Sequence, residues 1–174
     1  MNRRSFFLGI ALLSLGGCGS SGPPLDRQPL AGGLDVGVPT DWSVHDFSTR
    51  DRTTIQVTPT PDDDEHGESL LVTRAPRPAQ AKASQARLGR WLVETQRKLP
   101  EATFGHPASF TTKNGFSGLR VEGQFTPPNK QTSYRRLHAV VVDRDSLVNV
   151  IYTAKQLDRE TFDAIVDSLS REGQ

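Results

Sequence analysis

The chain has a single cysteine among its 174 residues, so no internal disulfide and no multi-cysteine metal site can form. It also lacks a charge of one sign. Lys and Arg total 21 against 20 for Asp and Glu, a formal net charge of +1. That balance excludes nucleic-acid binding by bulk charge, halophilic acidity and polybasic adhesion to a membrane. Aromatic residues are scarce at 7% and hydrophobic residues reach 34%, a lean supply for a core, while 15 Gly and 12 Pro punctuate the chain. The length has room for one domain of ordinary size.

Long apolar runs are missing too. The longest, Phe6 to Leu13, falls short of the roughly 20 residues that a membrane-spanning helix needs. Preceded by Arg3 and Arg4 and followed by Gly16, Gly17 and Cys18, it has the layout of a cleaved export signal over residues 1–17. Leu15-Gly16-Gly17-Cys18 resembles the lipobox of bacterial lipoproteins, in which the cysteine thiol takes up a diacylglycerol before cleavage on its amino side. Small residues ahead of the cysteine give a peptidase access to the backbone. Arg3-Arg4-Ser5-Phe6-Phe7 resembles the twin-arginine export signal, which carries a domain across already folded. These features imply a domain outside the cytoplasm, lipid-anchored to a membrane of the cell envelope.

Residues 18–33, with Gly19 to Pro24 and the pair Gly32-Gly33, have the composition of a flexible spacer, which leaves 34–171 as the folded domain. Alternation of apolar residues predicts strands around Trp42–Phe47, Thr53–Thr58 and Ser69–Thr73. A helix is predicted between Ala79 and Leu99, with Leu88, Trp91, Leu92, Thr95 and Leu99 on its inner stripe. Pro100 ends it. A meander follows: Ser109–Lys113, an Asn114-Gly115 hairpin turn, Leu119–Phe125, Tyr134–Asp143 and Leu147–Ala154. The last two strands are apolar on both faces and should lie centrally, covered on both sides. Asp158 is placed to cap a final helix with Phe162, Ile165, Val166 and Leu169 inward. The expected fold is α+β, a central antiparallel sheet with helices packed on it in the order βββαββββα. Trp91, Leu92, Val141 and Val150 are expected core residues.

Val38-Pro39-x-x-Trp42, the mid-chain amphipathic helix, Asn114-Gly115-Phe116-Ser117-Gly118 and Phe162-x-x-Ile165-x-x-Ser168-Leu169 together resemble the PsbP-like fold. That group takes in the photosystem PsbP proteins and bacterial lipoproteins of the LpqN and DcrB type. The resemblance spans nearly all of 34–171 and implies an α/β/α sandwich with a partner-binding or assembly role. It supplies no catalytic signature to carry onto these positions.

Chemistry-bearing motifs are few. Asp62-Asp63-Asp64-Glu65-His66-Gly67 opens like a calcium loop, with Asp62, Asp64 and His66 as weak metal candidates. The pattern then fails, because Thr73 stands where a bidentate Glu is required, and a solvated acidic hairpin tip accounts for the run. His45, His66, His106 and His138 are scattered without zinc spacing. Gly115-Phe116-Ser117-Gly118-Leu119 misses the nucleophile elbow at its last position. No phosphate-cradling loop or other cofactor motif is present. Arg120, Arg135 and Arg136, with Glu122 and His138, are expected to form a polar stripe that could receive a partner, since Arg is enriched at interfaces.

Three functions compete. The expected one is a non-catalytic interaction or assembly module that engages an envelope protein and no nucleic acid. The alternatives are a carrier of a small or lipidic ligand between sheet and helix, and an enzyme with an unrecognised site. A deep apolar cavity would favour the carrier, and a converging His–carboxylate cluster the enzyme.

Overall fold

Strict alternation sets the centre of the molecule. In the computed structural model, which describes residues 22–59, 67–82, 84–128 and 130–172, Val140 and Val141 point to opposite faces of one strand and enter two separate apolar clusters. Arg3, Arg4, Cys18, Asp62, Asp64 and His66 lie outside the described residues. The strands are β1 (Leu25–Leu30), β2 (Leu34–Pro39), β3 (Trp42–Asp46), β4 (Thr53–Pro59), β5 (Ser69–Pro76), β6 (Thr103–Phe104), β7 (Ala108–Thr111), β8 (Ser117–Phe125), β9 (Tyr134–Asp143), β10 (Ser146–Ala154) and β11 (Ser170–Arg171). Two helices, α1 (Gln85–Gln96) and α2 (Arg159–Ser168), interrupt them, and a short 3₁₀ turn at Ala79–Ala81 precedes α1.

The main sheet runs β3-β4-β5-β10-β9-β8-β6, with β7 also paired to β8, and every pairing is antiparallel. β9 and β10 sit near its middle, as their two-sided apolar pattern predicts. A second sheet, β1-β2-β11, lies with α2 over one face. There Leu34, Val36 and Val38 meet Val57, Leu70, Val150, Tyr152, Phe162 and Ile165 in the larger core. On the other face α1 and the 3₁₀ turn cover Leu119, Val121, Val140 and Leu147 with Leu88, Leu92 and Ala81. The fold is α+β, mostly antiparallel sheet with a helix on each side.

The structure adds four strands to the expected order: β1, β2, β6 and β11. It also corrects the spacer. Residues 25–33, expected to be flexible, form a hairpin in full register with β2, from Leu25 opposite Pro39 to Leu30 opposite Leu34. Gly32 and Gly33 take φ of +78° and +70°, so the pair builds a turn rather than a linker. A Cβ on Gly32 would come within 2.7 Å of the Arg74 guanidinium. That guanidinium pairs with the buried Asp143 carboxylate at 3.2 Å, and Arg171 of β11 pairs with the same carboxylate at 2.7 Å. The small sheet is thereby tied to the main one.

α1 is also shorter than expected. Ser84 caps it, its hydroxyl accepting from the Arg87 backbone N–H at 3.2 Å, and it ends three residues before Leu99. The residue before a proline is pushed away from helical geometry, so Leu99 ahead of Pro100 falls outside. The inner face is Leu88, Gly89, Leu92 and Gln96. Trp91 sits at the flank and is only partly buried, which corrects its placement in the core; Leu92, Val141 and Val150 are buried as expected. Asp158 caps α2 by accepting from the Thr161 N–H at 3.1 Å, and Phe162, Ile165, Val166 and Leu169 are all buried.

Candidate functional site

The pleat of β8 and β9 separates the three candidate arginines. Arg120 and Arg135 point to the α2 side, and Arg136, one residue on, points to the opposite face. Arg120 donates to Asp163 of α2 at 3.0 Å. Glu122 takes Arg135 on one carboxylate oxygen at 2.7 Å and Arg159 on the other at 2.5 Å. Arg136 lies 4.5 Å over the ring of Phe125 and donates to Thr153 at 3.0 Å, and burial pulls its guanidinium below the ordinary value. The expected stripe is thus two opposed patches. Arg120 and Arg135 already neutralise acids of their own domain, which leaves them less to offer a partner.

His138 is 1% exposed and belongs to a buried chain. Its Nδ1 lies 2.7 Å from Nε2 of Gln96 on α1, and its Nε2 lies 3.1 Å from Oδ1 of Asn149. Asn149 in turn donates its amide to Thr73 at 3.2 Å. With that amide committed, Oδ1 must accept, so the proton sits on Nε2 and Nδ1 accepts from Gln96. The ring is therefore neutral. Burial, with the nearby Arg136 charge, holds its pKa down at about 4, although the Asn149 contact works the other way. Oε1 of Gln96 is buried without a hydrogen-bond partner among the described residues. The chain ties α1 to β9, β10 and β5, and it lies too deep to meet a substrate.

A groove of about 560 Å³ lies between α1 and the segment leading into β7. Gly89, Val93, Pro107 and Leu119 line its apolar part, and Arg90, Glu94, Arg97 and His106 bring charge and polarity. Gln85 of α1 donates to Ser109 of β7 at 2.9 Å, joining its two walls. Gly89 gives the groove depth: a Cβ there would stand 3.6 Å from Leu119 and 3.7 Å from Pro107, filling space without a clash. The groove opens to solvent. Periodicity along α1 could have pointed to it, because Ala86, Gly89, Arg90, Val93 and Arg97 recur at helical spacing beside the Leu88–Leu92 stripe. The second wall comes from a stretch more than nine residues farther along, with no periodicity of its own.

Among the described residues, no three His, Cys, Asp or Glu side chains converge as a metal site requires, and no helix is long and apolar enough to cross a membrane. His45 and His106 are exposed and lie apart from the buried His138 chain.

No family model and no curated protein matches the chain. Solved structures do. A Pseudomonas aeruginosa protein of unknown function is 15% identical, with a TM-score of 0.42 over 75% of this chain and 82% of its own. LpqN of Mycobacterium tuberculosis, described as involved in cell envelope biogenesis, is 18% identical, with a TM-score of 0.47 over 84% of this chain and 81% of its own. A protein from Bacteroides thetaiotaomicron is 9% identical, with a TM-score of 0.49 over 80% of this chain and 45% of its own.

Proposed function

We propose that the chain is an exported lipoprotein of the cell envelope, anchored through Cys18, whose domain binds a protein partner and does no chemistry of its own. The observation that carries the binding role is the α1 groove. It is an open trough with an apolar floor and a rim on which two arginines, Arg90 and Arg97, outnumber one acid, Glu94, a form that suits a segment of another protein carrying apolar and acidic residues. A carrier would enclose its ligand, and an open groove favours the protein partner over that reading. The anchoring role rests on the Arg3-Arg4, apolar run and Cys18 succession.

Two measurements test the parts separately. Cys18→Ser should abolish incorporation of labelled lipid and leave an unprocessed precursor. A photo-crosslinking residue at Val93 should give a discrete adduct of higher mass in intact cells. That adduct should disappear in an Arg90→Glu/Arg97→Glu variant whose unfolding curve is unchanged. Persistent lipid labelling of the serine variant would overturn the anchor, and failure to crosslink from Val93 in acylated protein would overturn the binding groove.

A further inference from the structure

The expected spacer is almost entirely consumed by the fold, and this has a geometric consequence. Gly22 already lies against α2: a Cβ on it would stand 3.4 Å from the Cβ of Ala164. Two residues later the Pro24 carbonyl accepts from the Thr40 N–H at 3.2 Å, and β1 begins at Leu25. Only residues 19–21 separate Cys18 from that packed glycine. Four Cα steps reach at most about 14 Å even when fully extended. A domain of this size is about 40 Å across.

We infer that the outer surface of α2 and the β1–β2 hairpin faces the lipid headgroups of the membrane that holds Cys18. The inference rests on the anchoring reading and adds to it an orientation: the α1 groove, on the opposite side of the main sheet, points away from the bilayer. Contour length alone enforces this. With Gly22 held within about 14 Å of the acylated cysteine, the far side of the domain cannot turn to the same surface.

The chemistry of that outer surface agrees with close approach without adhesion. Its charges are largely matched in place: Arg27 with Asp35, Lys113 with Asp167 and Arg120 with Asp163. A face of internally paired charges presents little net field to anionic headgroups. The orientation should therefore persist at high salt, where an electrostatically held one would be lost.

The single cysteine makes the test direct, because once Cys18 is acylated an introduced thiol is the only reactive one. Glu160→Cys lies one turn before Ala164 on the same face of α2, and Arg87→Cys lies on the exposed side of α1. Each variant of the full-length acylated protein is labelled with a fluorophore and placed in vesicles of phosphatidylethanolamine and phosphatidylglycerol doped with a headgroup nitroxide lipid. Intact mass on the same sample reports acylation. Quenching should be several-fold stronger at position 160 than at 87, in low and high salt alike. A long Gly-Ser insertion between Ser21 and Gly22 should bring the ratio toward unity. Equal quenching at the two positions with the native spacer, or stronger quenching at 87, in protein whose mass shows the acyl chains would overturn the inference while leaving the anchor intact. A mass without acyl chains would overturn the anchor, and the orientation with it.

Discussion

The two faces of the main sheet are built on different terms. On the α2 side, a large apolar cluster joins both sheets and the helix, with Tyr152 sandwiched between Trp42 at 6.3 Å and Phe162 at 6.4 Å. On the α1 side the apolar cluster is smaller, a polar chain runs through it, and a groove is left open at its margin. Stability and adaptability therefore reside on different faces. The first face holds the fold together. The second holds one helix, through contacts that acid or a single glycine can change, and low local stability is what binding surfaces commonly draw on.

The largest effect should come from the first face. Phe162 is 1% exposed and stacked on Tyr152. Phe162→Ala should cost about 3–5 kcal/mol of unfolding free energy in denaturant titration. A loss under about 1 kcal/mol would erase the contrast between the faces.

Acid should reach the second face first. The folded His138 pKa lies near 4 against an ordinary 6.5, so the unfolded chain binds this proton more readily. The contribution of a neutral His138 is complete above pH 6.5, falls as pH drops from 6.5 toward 4, and levels off below that. Its size is roughly 3 kcal/mol. Comparing wild type with His138→Gln across that window isolates it, and hydrogen exchange should show α1 loosening before the α2 layer. Protonating Nδ1 requires an acceptor there, so Gln96→Glu should raise the His138 pKa, as an NMR titration would read. A wild-type pH profile parallel to that of His138→Gln would remove the acid-sensitive half of the comparison.

Trp91 refines the contrast. Because it is half-buried at the flank of α1, Trp91→Ala should cost only about 1–2 kcal/mol, below the range for a core aromatic. The smallest effect has the opposite sign. Gly89→Ala should stabilise by about 0.5–1 kcal/mol, because the site is helical and the added methyl meets no clash. It should also shallow the groove and weaken crosslinking from Val93. Stabilisation with crosslinking intact would separate the glycine from the binding role.

Most of the main sheet was legible, because half-buried and doubly buried strands write their environment into alternation, as Ile55/Val57 and Val140–Val142 do. Asp158 and the α2 stripe were legible for the same local reasons. β1 was not. Leu25–Leu30 reads LDRQPL, its Pro and charges are those of an edge strand facing water, and its pairing with β2 is invisible locally. The two-residue strands β6 and β11 are too short to carry a period. The Asn114-Gly115 turn was legible, but the second task of Asn114 was not. Its side chain donates to the carbonyls of Asp167 and Leu169, pinning the hairpin to the end of α2. Side-chain direction also decided the arginines: Arg135 and Arg136 are neighbours in sequence and lie on opposite faces in space.

β2 is flanked on one edge by β1 and on the other by β11, so the second strand of the chain is completed by residues 170–171. Order of synthesis turns this into a checkpoint. A growing chain can pair β1 with β2 early, but the strand for the far edge of β2 and the Arg171 partner of Asp143 come only after α2 has been made. Until they do, the hairpin has a bare edge, and under the export proposed above a route that demands a folded passenger would meet an unfinished one. Sequence separation of this length slows closure, since loop entropy is lost before the contact forms. Completion of the small sheet is thereby coupled to the synthesis of everything between β2 and residue 171.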